Sequence, residues 1–296
     1  ISCIISEDYL KVKKYKKKDF IIIGSPGKFY NRIASINGYC SGSKIIGVLH
    51  GEESGSVSHL PWKFDDRSLS QFIIGYGSKG NYKNNRDANF LSIDKLNQTY
   101  VESDSEYVSK IFDNSKIKFL NTKKANKGLY ISWRLNNISV INSYDTMDPL
   151  DYIEWQNFLL KKYPDVAIKL HPKQRNFINY KSKKVFGSLI DCIDDYDYFI
   201  FDYASSSAFS QVAATNKPII YYNLGLSNYT NNGLSYLRKR VIWCDVNVYQ
   251  NYDGFLVFNK NNDKKDNSFT KSFSLASKKT SRIDALFNTI EANKIL

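Results

Sequence analysis

FIFDYASSSAFSQVAATNKPIIYYN, residues 199–223, is the stretch on which the fold turns. An apolar run, Phe199–Phe201, leads into Asp202 and Tyr203, then Ser205, Ser206 and Ser207. A run of small residues follows, then Lys217–Pro218 and a second apolar run. The pattern is strand, polar turn, short helix, strand. Both strands are apolar on successive residues, as in a parallel sheet covered on both faces.

Outward from this stretch the same pattern recurs. Apolar runs at Leu129–Trp133, Val166–His171, Tyr198–Tyr203, Pro218–Asn223 and Arg240–Cys244 predict strands in the second half. In the first half they are Ile1–Ser6, Phe20–Gly24, Lys44–His50, Gln71–Gly77 and Ile117–Asn121. Pro149–Tyr163 reads as a helix, with Asp148 as N-cap, proline at the first position and an apolar face of Ile153, Trp155, Phe158, Leu159 and Leu160. Ile283–Leu296 reads as a terminal helix and residues 259–268 as a polar surface loop. The lysine-rich NTKKANK, residues 121–127, marks a boundary between domains at 1–125 and 126–296. The reading is α/β: two Rossmann-like domains with parallel sheets facing a cleft, ligands at the carboxyl ends of the strands, and a terminal helix able to pack back on the first domain.

Composition agrees. At 296 residues the chain suits two domains, and 42% hydrophobic with 24% charged residues excludes global disorder. The longest apolar runs, such as Phe20–Gly24 and Lys44–Leu49, fall far short of the roughly 18 to 20 residues that span a bilayer. The chain begins at Ile1, and no secretory n-region, h-region and cleavage site reads there. Cys3, Cys40, Cys192 and Cys244 lack metal-ligand spacing, and most sit in or near apolar runs, as reduced, buried thiols of a cytosolic protein do. The net charge of +13 is spread over both halves, with one cluster at Lys11, Lys13, Lys14, Lys16, Lys17 and Lys18. It reads as a solvated face, or as attraction to anionic lipid, a polyanionic acceptor or nucleic acid.

Four places could carry chemistry. His171 ends the run VAIKL and is followed by Pro172 and Lys173. At a parallel strand's carboxyl edge it can donate to a phosphate, with Lys169 or Lys173 nearby. Ser205, Ser206 and Ser207 at a helix start offer hydroxyls, free N–H groups and the helix dipole to the same kind of anion. The run KIIGVLH leads into Gly51, Glu52, Glu53 and Ser54, where paired carboxylates beside His50 can supply a general base. The turn Gly24–Gly27 is a weaker candidate for lining the same cleft. Each also has a plain reading as a cap, a turn or a charged loop. No Walker A, GxGxxG or HExxH motif is present. Asp195-Tyr196-Asp197 matches a DxD metal motif but precedes its strand, the wrong end for a ligand.

LYISWRLNN (129–137), KLHPK (169–173) and FDYASSSAFSQVAATNKPIIYY (201–222) together resemble the strand, HP, DYSS and KP order of the CDP-glycerol glycerophosphotransferases of teichoic-acid and capsule synthesis. The HP motif and paired serines are also similar to those of bacterial sialyltransferases, polysialyltransferases and capsular Kdo transferases, which share the GT-B fold. Leu49-His50-Gly51 resembles the WHG motif of the former, with leucine for tryptophan. Glu52 to Ser56 resembles the acidic pair and glycine of the latter, with Ser54 at the glycine position. The resemblance covers roughly residues 127–225.

The resemblance implies a CMP-linked donor held by Asp202, His171, Pro172, Lys173, Ser205, Ser206 and Ser207, with Glu52, Glu53 or His50 as base. The expected activity is inverting, metal-independent transfer of a sialic-acid-like or Kdo-like sugar to a glycan or glycolipid acceptor of capsule or lipopolysaccharide. It needs no cofactor, runs in the cytoplasm, and suits the anionic inner face of the membrane. A CDP-polyol phosphotransferase is the alternative, and a non-enzymatic polyanion- or nucleic-acid-binding protein the reading outside that class. With a nucleotide donor, no nucleic-acid partner is expected.

Overall fold

The computed structural model describes residues 20–24, 29–49, 51, 56–57, 70–78, 98–117, 127–133, 147–171, 180–258 and 266–294. The Ile1–Ser6 run, the lysine cluster and most of the expected boundary at 121–127 lie outside them. The chain divides into two compact units, one drawn from 1–106 with 271–296, the other from 107–270.

The first unit is built on a four-stranded sheet of β1 (Phe20–Ile23), β2 (Lys44–Val48), β3 (Phe72–Tyr76) and β4 (Thr99–Ser103). They pair in that order and all in parallel. Helix α1 (Phe29–Cys40) links β1 to β2. The last helix, α7 (Arg282–Lys294), lies far along the chain but lends Ala285, Leu286 and Ile290 to the cluster around Ile46 and Ile74. Its approach is held at the carboxyl end of β4, where Asp104 accepts from the Ala276 and Thr280 N–H groups at 2.8 and 2.9 Å.

β4 was not legible as an apolar run. TYVES buries only Tyr100 and Ser103, and as the last strand of the sheet it has no need for a continuous apolar sequence. The run expected at Ile117–Asn121 is different in kind: Ile117 is the last residue of helix α2 (Glu106–Ile117), and 118–121 lie outside the described residues.

The second unit holds a six-stranded, all-parallel sheet of β5 (Gly128–Ile131), β6 (Val166–Lys169), β7 (Lys184–Val185), β8 (Tyr198–Phe201), β9 (Ile219–Asn223) and β10 (Ile242–Asp245). Their order is β10-β9-β8-β5-β6-β7. Counting β5 as the first strand, this is the 3-2-1-4-5-6 order of a doubly wound sheet. The chain runs outward from β5 through β6 to β7, then returns to the other side of β5 at β8. β5, β6 and β8 are buried at every residue, as the uninterrupted apolar runs required.

Both faces of this sheet are covered. Tyr198 and Ile200 of β8 join Trp155, Leu159 and Leu160 of helix α3 (Pro149–Lys162). Phe201, on the other face, meets Phe209 of α4 (Ser207–Ala213) edge-on at 5.2 Å. Helix α3 begins where its sequence demands: Asp148 accepts from Leu150 N–H at 2.7 Å and Pro149 opens the helix. Its buried face is Tyr152, Trp155, Gln156, Leu159 and Leu160, while Ile153 and Phe158 are only half-buried. At the start of β5, a Cβ on Gly128 would lie 2.3 Å from the ring of its ladder partner Tyr198, so any larger residue would have to displace that buried ring. Helix α5 (Asn231–Arg240) links β9 to β10, and α6 (Ser268–Phe273) precedes α7.

Of the cysteines described, Cys244 is buried, Cys192 half-buried and Cys40 exposed, and all three are free. Only Cys244 fits the expectation of a buried thiol. Cys40, the last residue of α1, is exposed.

Candidate functional site at the carboxyl edge of the second sheet

At the reversal of strand order between β5 and β8, α3 and α4 pack on opposite faces of the sheet, the arrangement at which doubly wound folds open a crevice beyond the carboxyl ends of their strands. On the β5 side stand Ser132 and Trp133; on the β8 side stand Asp202, Tyr203 and Ser205–Ser207. His171 lies just past β6, the other neighbour of β5, and is half-buried. His171 and the serines therefore share one edge of one sheet, on strands that flank β5, roughly 10 Å apart at the spacing of strands.

The crevice is braced from below by Asp202. That side chain is 1% exposed, and its carboxylate accepts from the Tyr130 hydroxyl, from the Tyr152 hydroxyl at 3.0 Å and from Trp155 Nε1 at 3.0 Å. Burial pushes the Asp202 carboxyl up to about 6, although the three donors pull it down. The same burial, with the nearby carboxylate, holds Tyr130 and Tyr152 well above the usual tyrosine range. The three donors are core side chains, and through them the carboxylate holds the turn in place. Tyr152 extends the network by accepting from Trp133 N–H at 2.9 Å. The indole of Trp133 then packs on Tyr203 with ring centroids 5.0 Å apart.

The serines have different surroundings. Ser205 is buried, Ser206 half-buried and Ser207 exposed. Ser206 caps α4: its Oγ accepts from Phe209 N–H at 3.2 Å. Capping uses a lone pair and leaves the O–H to donate elsewhere. Helix α4 has only seven residues, so the chemistry here rests on hydroxyls and not on a helix dipole. From β9, the Tyr221 hydroxyl meets that of Tyr229 at 2.6 Å, and Tyr229 bonds the backbone of Ala204, fixing the turn that carries the serines.

Lys169 is not available to a phosphate on the same terms. It is 6% exposed and its Nζ donates to Gly187 O. Pro172, Lys173, His50, Glu52 and Glu53, and Ser25–Gly27 of the glycine turn, lie outside the described residues. Asp197, at the amino end of β8, accepts from Lys127 N–H at 3.0 Å and ties β5 to its neighbour. Among the described residues no group of three or more His, Cys, Asp or Glu could hold a metal ion, and no helix is long and apolar enough to cross a membrane.

The sequence reading missed Trp133, Tyr152, Tyr203, Tyr221 and Tyr229. Trp133 and Tyr203 do carry a signal, since each is the aromatic residue directly beyond an apolar strand. The others come to the crevice only through the packing of α3 and β9. No protein-family model matches the chain, and no curated protein does either.

Proposed function

We propose that the chain is a GT-B-type glycosyltransferase that takes a CMP-activated sugar, sialic-acid-like or Kdo-like, for bacterial capsule or lipopolysaccharide synthesis. The observation that carries this reading is the reversal of strand order between β5 and β8, with Trp133 on one side of the crevice and the serine turn on the other. Doubly wound sheets bind nucleotides at that point. In the proposed reaction an acceptor hydroxyl attacks the anomeric carbon with inversion, and the bond to the CMP phosphate breaks. The acceptor's proton goes to Glu52 or Glu53, with His50 beside them. The negative charge left on the CMP phosphate is met by the Ser205 and Ser206 hydroxyls and by His171. Donors already aimed at a developing charge cost no reorganisation during the reaction.

The test is to incubate the protein with CMP-sialic acid, CMP-Kdo and CDP-glycerol and to follow donor consumption. Consumption of a CMP-sugar supports the reading; consumption of CDP-glycerol alone replaces it with attack at phosphorus, by a polyol phosphotransferase. If no nucleotide binds and salt-sensitive binding to DNA or RNA is found instead, a polyanion-binding protein takes its place. Calorimetry with CMP on His171→Ala checks the donor site: losing a bond to a charged group weakens affinity roughly 10- to 150-fold.

A further inference from the structure

Residues 255–258, FLVF, follow β10 in the chain and form an apolar tip on the second unit. Leu256 and Val257 are 60% and 59% exposed. Their neighbours point the other way: Phe255 stacks on Tyr222 at 5.1 Å and meets Phe158 of α3 edge-on at 4.9 Å, and Phe258 packs against the same core. Two tyrosines hold the backbone between them. Phe258 N–H donates to the Tyr163 hydroxyl at 3.2 Å. Tyr222 gives its proton to Leu256 O at 2.8 Å and so accepts from Tyr163 at 2.6 Å. These bonds close on themselves and fix the turn, which displays two aliphatic side chains on a rigid support.

Positive charge stands beside the tip. The Lys162 ammonium lies over the Phe158 ring at 5.4 Å, and Lys161 and Lys162 are both exposed at the end of α3. Between Trp155 and Val166 they stand against one carboxylate, Asp165; Asp151 and Glu154 belong to the first two turns of that helix. Past Phe258 the sequence continues NKNNDKK, three lysines against one aspartate, and the whole chain carries +13. Lysines beside a small aliphatic tip match the negative surface and the acyl boundary of an anionic bilayer. A nucleic acid or a polyanionic glycan would answer the charges and leave the aliphatic pair in water. A protein partner needs more, since each side of a stable interface buries roughly 800 Å², of which two side chains supply a small part. The paired backbone suits lipid as well, where an N–H or carbonyl without a partner costs more than in water.

We propose that Leu256 and Val257 insert at the surface of an anionic membrane, with Lys161 and Lys162 against its headgroups. Only Tyr163, Pro164 and Asp165 separate α3 from β6, so the last turn of α3 marks the amino edge of the sheet. His171 and the serines lie at the opposite edge. Docking through this tip therefore leaves the carboxyl edge open to a ligand from solvent. The assignment rests on the tip and its charges, and stands whether or not the donor is a CMP-sugar.

Co-sedimentation with vesicles of phosphatidylcholine alone, and of phosphatidylcholine mixed with phosphatidylglycerol, tests it on wild type and two double variants. These are Leu256→Ser with Val257→Ser, and Lys161→Gln with Lys162→Gln. Wild type is expected on the mixed vesicles and not on the neutral ones. The serine pair should weaken that binding by about tenfold or more, and the glutamine pair by roughly 5-fold for each charge removed, with melting temperatures unchanged. In Leu256→Trp, mixed vesicles whose phosphatidylcholine is brominated on its acyl chains should quench fluorescence beyond the wild-type level. Wild type that ignores both kinds of vesicle overturns the proposal. So does binding that survives the serine pair, or a Leu256→Trp variant with no added quenching. A wild-type dimer that the serine pair turns into a monomer, with no vesicle binding, gives the tip to a second copy of the chain and overturns it too. Donor consumption is read separately, without vesicles, so failure of this proposal and failure of the donor reading are told apart.

Discussion

A buried carboxylate is an unusual base for a turn, and Asp202 makes the second unit sensitive to pH. Its carboxyl sits at about 6 in the folded protein against an ordinary 3.8. The folded state therefore holds the proton more tightly than the unfolded state between those values. This group favours folding below about pH 4 and costs stability as pH rises to about 6, by roughly 3 kcal/mol in all. Asp202→Asn removes the titration while its oxygen still accepts from Tyr130 and Trp155. Thermal melts should show wild type losing stability relative to this variant from pH 4 to pH 6; a gap that stays constant with pH would contradict the assignment. Ser206 allows a second separation at this scale. Ser206→Ala should lose the α4 cap, at about 1 kcal/mol, and weaken CMP binding as well. Ser206→Asp keeps a cap acceptor but removes the hydroxyl donor and adds a repelling charge, so stability should hold while CMP affinity falls. Wild-type affinity in Ser206→Asp would remove this hydroxyl from the site. The serines and His171 were legible because they interrupt or end apolar runs. The partners of Asp202 were not, because Tyr130 and Tyr152 lie 72 and 50 residues away in sequence.

Among the elements, α3 shows how far local signals reach. Asp148, Pro149 and the apolar spacing set its start and its inward side, because a cap and a period of 3.6 are properties of neighbours in sequence. Tyr152 and Gln156 share the buried side although polarity argued against them. Each brings a polar group to a partner inside, Tyr152 to Asp202 and Gln156 to the Tyr180 hydroxyl. The end of α4 depends on a residue from another helix. Arg240, at the end of α5, is 1% exposed; its Nε donates to Ala213 O at 3.0 Å and its Nη2 to Thr215 O and Lys217 O at 2.8 and 2.9 Å. These carbonyls end α4 and lead into β9. Arg240→Met keeps much of the side-chain volume but orphans them, at about 1 to 3 kcal/mol for each buried group left unpaired. Urea denaturation should give a lowered midpoint at unchanged slope, a loss of at least about 3 kcal/mol in all; a smaller loss would mean that the carbonyls find other donors.

At the scale of the whole chain, the first unit is closed by the last helix. Stripping Ala285, Leu286 and Ile290 from Ile46 and Ile74 exposes apolar surface worth about 1.5 to 3 kcal/mol for each large side chain. A unit of ordinary stability, about 5 to 15 kcal/mol, cannot lose several of these and stay folded. A chain ending at Lys279 should therefore lose hydrogen-exchange protection in β2 and β3 while β5 and β8 keep theirs. Loss of protection in both sheets would show that the two units unfold as one. Arg282 adds to the closure, since its guanidinium donates to Leu49 O at 2.9 Å and lies over the Tyr76 ring at 4.9 Å.

The sequence by itself determined the class of fold, most of the strands and the edge of the second sheet that carries polar side chains. Those are local matters: a strand buried on both faces must be apolar at every residue, and the residue that ends it shows where the edge lies. Tertiary structure alone decided the order of the strands, and with it the reversal beside β5 that makes one stretch of that edge a crevice. It also decided that Asp202 turns inward to three donors, that α7 returns to the first sheet, and that Tyr163 and Tyr222 hold the turn at 256–258 with its aliphatic side chains outward. Each depends on pairing between residues distant in sequence, whose energy comes from burial and hydrogen bonds that no local pattern records.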